Sequence, residues 1–213
     1  MPDPIILVLT PDDPCNTTIT NSETDEVLYT VFTERDNDVL CTRVNNDDNH
    51  EIANWKWGGN RPDSLTMTKS GITVPAKEWL TPSSVPFSDA VSFTVHFSDN
   101  QEGNYRWTGT SPGKQLELRG EEDKKHTIAF FKSISRPPLE SAPGQATLTL
   151  TGEAQEIMDM VVISFLLLEK GRRTNAATMG GLTRPRAGVK AAGVGELARV
   201  FLEGIIKSGG HIV

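Results

Sequence analysis

The chain has little of what usually announces a chemistry. Its 213 residues include only two cysteines, Cys15 and Cys41, too few for a disulfide framework or a cysteine-based zinc site. The four histidines, His50, His96, His126 and His211, are scattered. None stands at a zinc-ligand spacing from a cysteine or glutamate. There is no G-x-S-x-G elbow, no phosphate-cradling glycine loop and no dinucleotide fingerprint. Positive charge is scarce as well. The 21 Lys and Arg against 28 Asp and Glu leave a net charge of −7, which argues against general nucleic-acid binding. The longest apolar run, Ile157 to Leu168, is shorter than the roughly 20 residues that span a bilayer. The amino terminus lacks the basic segment of a signal peptide. These absences lead to the expectation of a soluble cytoplasmic protein with reduced thiols, no cofactor, no metal and no nucleic-acid partner.

What is present is a long series of strand patterns. Val27, Tyr29, Val31 and Thr33 alternate with Leu28, Thr30 and Phe32, all good strand formers. Asp36 to Asp38 is a turn signal, after which Val39 to Val44 closes a hairpin. Val91, Phe93, Val95 and Phe97 alternate with Ser92, Thr94 and His96, the pattern of a half-buried strand. Turn residues recur at the spacing typical of barrels and sandwiches.

The apolar run then changes the period. Glu153, Gln155 and Glu156 precede it, and Lys170, Arg172 and Arg173 follow it, the charge order that complements a helix dipole. Gly171 reads as the C-cap. A helix apolar on nearly every side has to be buried. The expected fold is therefore a closed antiparallel β-barrel of about 10–12 strands around one buried apolar helix over about 153–170. A C-terminal helix is expected in addition, with Leu197, Val200, Phe201, Ile205 and Ile206 near one face. The expected organisation is an N-terminal strand segment (1–24), the barrel domain (25–173), a Gly/Ala/Arg-rich linker (174–195) and a C-terminal amphipathic helix (196–213).

Charge divides unevenly along this layout. Residues 170–213 hold eight Lys and Arg and two Asp and Glu, so the rest of the chain carries 13 cations and 26 acids. Lys170, Arg172, Arg173, Arg184, Arg186 and Lys190 form a stretch free of acids. Near an anionic membrane each such cation contributes about 1 kcal/mol. These six are the candidate ligand-binding residues, for an anionic lipid or a partner. The face carrying Leu197, Val200, Phe201 and Ile205 is a candidate for self-association.

Other features have plainer readings. Trp55, Trp57, Tyr105 and Trp107 fit either a ligand groove or core and rim packing, the commoner use of strand aromatics. Asn45 to Glu51 is rich in oxygen ligands but lacks the spacing, glycine and terminal glutamate of a calcium loop. It reads as a solvated hairpin tip. Asp159 lies within the apolar run, where a buried charge needs a partner, unless it sits at the solvated mouth of the barrel.

Several segments together carry a family resemblance: Tyr29 to Val31, Ile52 to Trp57, Asn104 to Trp107, Ile128 to Phe131 and Met158 to Arg173. Over about residues 25–173 the chain resembles a fungal domain family of unknown function found in mushroom-forming species. More remotely, many strands followed by one apolar helix is similar to the tubby C-terminal, phospholipid scramblase and LURP-one-related group. That resemblance implies a closed barrel threaded by a helix, with phosphoinositide binding in tubby domains and membrane and calcium links in scramblases. No motif aligns position by position, so it brings no binding residue to this chain. The expected function is a non-enzymatic binding or interaction protein of unknown ligand. Peripheral binding to anionic phospholipid headgroups is the first alternative, and a hydrolase or transferase with a discontinuous site is the second.

Overall fold

Alternating side chains along most of the chain produce strands, and in the computed structural model these strands join into a single sheet. The structure describes residues 3–58, 62–86, 88–97, 101–111, 113–123, 125–133 and 145–182. In chain order the strands are β1 Ile5–Thr10, β2 Thr17–Asn21, β3 Val27–Asp36, β4 Val39–Asn46, β5 Glu51–Lys56, β6 Ser64–Met67 and β7 Ile72–Pro75. After helix α1 (Ala76–Trp79) come β8 Thr81–Pro82, β9 Val91–His96, β10 Glu102–Thr108, β11 Leu116–Gly120, β12 Thr127–Lys132 and β13 Ala146–Leu150. Helices α2 (Gly152–Glu156) and α3 (Met158–Leu182) follow.

The sheet order is β7-β6-β5-β4-β3-β2-β1-β13-β12-β11-β10-β9-β8. Every ladder is antiparallel, and neighbours are consecutive in the chain except where β1 meets β13, with Ile5 opposite Leu150. Local turn chemistry sets much of the register. In the β3–β4 hairpin, Asp36 pairs with Val39 across Asn37 and Asp38. Both turn residues have positive φ, 47° and 67°, as a two-residue turn matched to strand twist requires.

The expected closed barrel is corrected by this topology. The sheet has two ends, β7 and β8, and is an open antiparallel sheet of 13 strands. The reason lies in the end strands. β7 has four residues and β8 only two. Pro75 and Pro82 bring no N–H to a ladder, and the chain between them turns into α1 instead of pairing.

The single helix over about 153–170 is corrected too. Ile157, at φ −117° and ψ 27°, separates α2 from α3, and α3 continues past Lys170 to Leu182. Gly171 does not stop it. Glu169 pairs with Arg172 at 2.8 Å and with Arg173 at 2.9 Å, and the Thr174 hydroxyl donates to the Lys170 carbonyl at 2.9 Å. These i,i+3 and i,i+4 links bridge the glycine and offset its propensity cost of about 1 kcal/mol. The first part of the expected linker is therefore helical. The remainder of that linker and the expected helix over 196–213, with its candidate self-association face, lie outside the described residues.

The core forms where the strand and helix patterns meet. Each residue from Val161 to Leu167 is buried, together with Leu7, Ile19, Tyr29, Trp55, Trp107, Phe131 and Leu148. Phe165 lies 4.6 Å from Phe131 and 6.5 Å from Trp107, ring centre to ring centre. The Trp107 indole donates to the Ser164 hydroxyl at 2.9 Å. That hydroxyl donates to the Val161 carbonyl at 3.0 Å, so both polar groups are satisfied inside an apolar layer. Asp159, exposed in the first turn of α3, accepts the Tyr29 hydroxyl at 2.6 Å. Burial, then the Asp159 charge and this hydrogen bond, raise the Tyr29 pKa well above its ordinary value.

Candidate functional site

The β1–β2 connection folds tightly on itself. The Asp13 carboxylate accepts the Cys15 N–H at 2.9 Å, and the Thr17 hydroxyl donates to the Pro11 carbonyl at 2.7 Å. This turn stands beside the end of β5 and the later turns of α3. Between them opens a cleft of about 220 Å³, lined by Asp13, Pro14, Cys15, Asn16, Thr33, Trp57, Lys170, Arg173 and Thr174.

One wall is a directed hydrogen-bond chain. The Trp57 indole donates to the Thr42 hydroxyl at 2.9 Å. The Thr33 hydroxyl gives its proton to the Cys15 carbonyl at 2.9 Å. In the 2.8 Å contact between the two threonines, Thr42 is therefore the donor. The Thr33 N–H is held by the Asn16 side-chain oxygen at 2.9 Å. The β1–β2 turn, β3, β4 and the end of β5 are thus tied to one another.

The opposite wall carries the charge. Lys170 places its ammonium 4.1 Å from the centre of the Trp57 ring, within cation–π range, and pairs with Asp63. Asp63 also accepts the Gly58 N–H at 2.9 Å. Arg173 bonds both the carboxylate and the carbonyl of Asp12, and its Nε reaches Glu169. Burial works against the Arg173 charge, yet the bonds to Asp12 and Glu169 outweigh it and hold its pKa above the ordinary value. Arg172 pairs with Glu169 and donates to the Lys114 carbonyl at 2.6 Å.

The sequence-predicted cations therefore fare differently. Lys170, Arg172 and Arg173 are brought together at this part of α3, and each is paired with an acid. Arg184, Arg186 and Lys190 lie outside the described residues. Of the four aromatics, Trp55, Tyr105 and Trp107 belong to the core, whereas Trp57, just past the last residue of β5, lines the cleft. Asp13, Asn16 and Thr33 were not singled out by sequence.

Elsewhere, the oxygen-rich loop closes on itself. Asn45 donates to Asn49 at 2.9 Å, and the His50 N–H bonds the Asn46 side chain at 2.8 Å. Among the described residues no three His, Cys, Asp or Glu gather as metal ligands, and no helix is long and apolar enough to cross a membrane.

Cys15 is the one thiol among the residues lining the cleft. Burial first, and the Asp13 charge second, push its thiol up to about 11 from 9.0. The thiolate, which is the reactive form, is therefore scarce near neutral pH. Alkylation of Cys15 by iodoacetamide at pH 8 is expected to be much slower in the folded chain than in urea, read by mass spectrometry. The linked stability has a definite sign. Below about pH 9 the thiol is protonated in both states. Above it the unfolded chain loses its proton first, so stability falls as pH rises toward about 11.

Residues 12–174 match a family of unknown function, DUF6593, and the chain belongs to that family. No curated protein and no solved structure matches it.

Proposed function

We propose that this chain is a non-enzymatic binding domain whose ligand site is the cleft between the β1–β2 turn, Trp57 and the α3 cations. The observation that carries this reading is the construction of the cleft. Asn16, Thr33, Trp57 and the α3 pair Lys170 and Arg173 come from four segments and are each fixed by a hydrogen bond or ion pair. Sites held in this way bind without first paying to order their side chains. The chemistry favours binding over turnover. The one thiol in the lining has a raised pKa, Lys170 is held by Asp63, the Thr33 hydroxyl gives its proton to a carbonyl, and no histidine lines the cleft. The acids at its rim are engaged with arginine or lysine, apart from Asp13.

The anionic-headgroup alternative gains no observation here, because the Asp13 carboxylate, which has no ion pair among the described residues, lines the same cleft as Lys170 and Arg173 and would repel an anion. Likewise, the tubby and scramblase likeness and a fungal origin rest on sequence order alone. Two free buried cysteines fit a reducing, cytoplasmic setting.

A thermal-shift panel of small anionic, cationic, zwitterionic and neutral molecules tests the reading. A true ligand at 100 times its Kd stabilises by about 2.7 kcal/mol, which in a domain of this size raises Tm by roughly 5–10 °C. Trp57→Ala is expected to abolish the shift. Turnover of a ligand by the intact protein, or shifts unaffected by Trp57→Ala, would count against it.

A further inference from the structure

We infer that the cleft takes a small zwitterion, an amino-acid-like molecule with its ammonium on Asp13 and its carboxylate on spare N–H groups of Lys170 and Arg173. This rests on the binding reading above and names the class of ligand. The charges of the cleft pair off incompletely. Lys170 is matched by Asp63, Arg173 by Asp12 and Glu169, and Arg172 by Glu169. Asp13 has no ion pair among the described residues. One of its oxygens accepts the Cys15 N–H, which leaves the other for a ligand.

The donors are incompletely used as well. An ammonium has three N–H groups and a guanidinium five. Lys170 uses one on Asp63. Arg173 uses three, on Glu169 and on two atoms of Asp12. Both signs of charge reach the same small space, since the Cys15 thiol feels Asp13 raising its pKa and Lys170 lowering it.

A simple anion would satisfy the spare donors but would stand beside the Asp13 carboxylate. A simple cation would meet Asp13 but face Lys170 and Arg173. A zwitterion answers both walls and brings no net charge. Size agrees: the cleft of about 220 Å³ lies below the roughly 300–1,000 Å³ of drug-sized sites.

The test is a titration of the full chain at low salt, read on the Trp57 indole N–H by NMR and assigned with Trp57→Phe. The probes are L-alanine, ethylamine, propionate and inorganic phosphate. Alanine is expected to bind at least about tenfold more tightly than ethylamine or propionate, the worth of one charge-assisted contact. Asp13→Asn keeps the acceptor for the Cys15 N–H and removes the charge. It is expected to weaken alanine about tenfold and to strengthen propionate, which no longer stands beside a carboxylate. Should that variant fold poorly, the order of probes on the native chain decides alone. Propionate or phosphate binding as tightly as alanine would overturn the zwitterion and leave the binding reading standing. No response to any of the four overturns the zwitterion, and if the wider thermal-shift panel is silent too, the binding reading falls with it.

Discussion

Phe165→Ala is expected to destabilise the domain by about 3–5 kcal/mol, the usual cost of emptying a buried phenylalanine site. Phe165 is fully buried. Its ring touches Phe131 from β12 and Trp107 from β10, so the loss removes aromatic contacts as well as apolar area. The neighbours can refill little of the gap, because Trp107 is tethered to Ser164 by its indole. Urea unfolding should show a lower midpoint at unchanged slope, and Tm should fall by roughly 6–20 °C. Phe165→Leu, which refills part of the space, should lose less. A midpoint unmoved by Phe165→Ala would mean that α3 does not pack on β10 and β12.

That packing was partly legible before any coordinates. The alternation of Phe93 with Val95, and of Tyr105 with Trp107, identified buried faces because a strand repeats every two residues. The apolar run at 157–168 marked residues that are buried, Val161 to Leu167 among them, but the helix expected at the centre of a closed barrel falls with the barrel. Closure was not legible. Whether a long antiparallel sheet seals depends on strand tilt and stagger and on whether its two end strands can pair. Here these are short segments carrying Pro75 and Pro82, whose effect is decided by where each lies in the ladder. The helix boundaries were misread through Gly171, a stop signal overruled by side chains on either side of it.

The site was legible in one half only. The cations at 170, 172 and 173 stand out as a cluster, but their acids are far away in sequence. Asp12 lies 161 residues from Arg173, and Asp63 lies 107 residues from Lys170. A composition that counts the basic stretch by itself therefore overstates its free charge. Trp55 and Trp57 show the same limit. They share a strand face by period, yet β5 ends at Lys56, so one enters the core and the other reaches the rim.

Glu169 ties the core to the cleft, and its loss is the second large effect expected. Its side chain is 7% exposed and holds both Arg172 and Arg173. Glu169→Ala should cost about 3 kcal/mol, since it leaves Arg172, itself 13% exposed, without a carboxylate in a poorly hydrated place. Added salt should recover little of this, because ions screen buried pairs weakly. Glu169→Gln separates charge from shape. It can still accept from one arginine, so it should cost less, but it leaves an uncompensated positive charge beside the cleft. Affinity for simple anions such as phosphate should then rise relative to the native chain, measured by titration at constant ionic strength. If Glu169→Gln leaves anion affinity unchanged, the α3 arginines do not contribute to the field of the cleft. In the native chain Glu169 would then matter to the fold alone, and selectivity would rest on Asp13, Trp57 and Lys170.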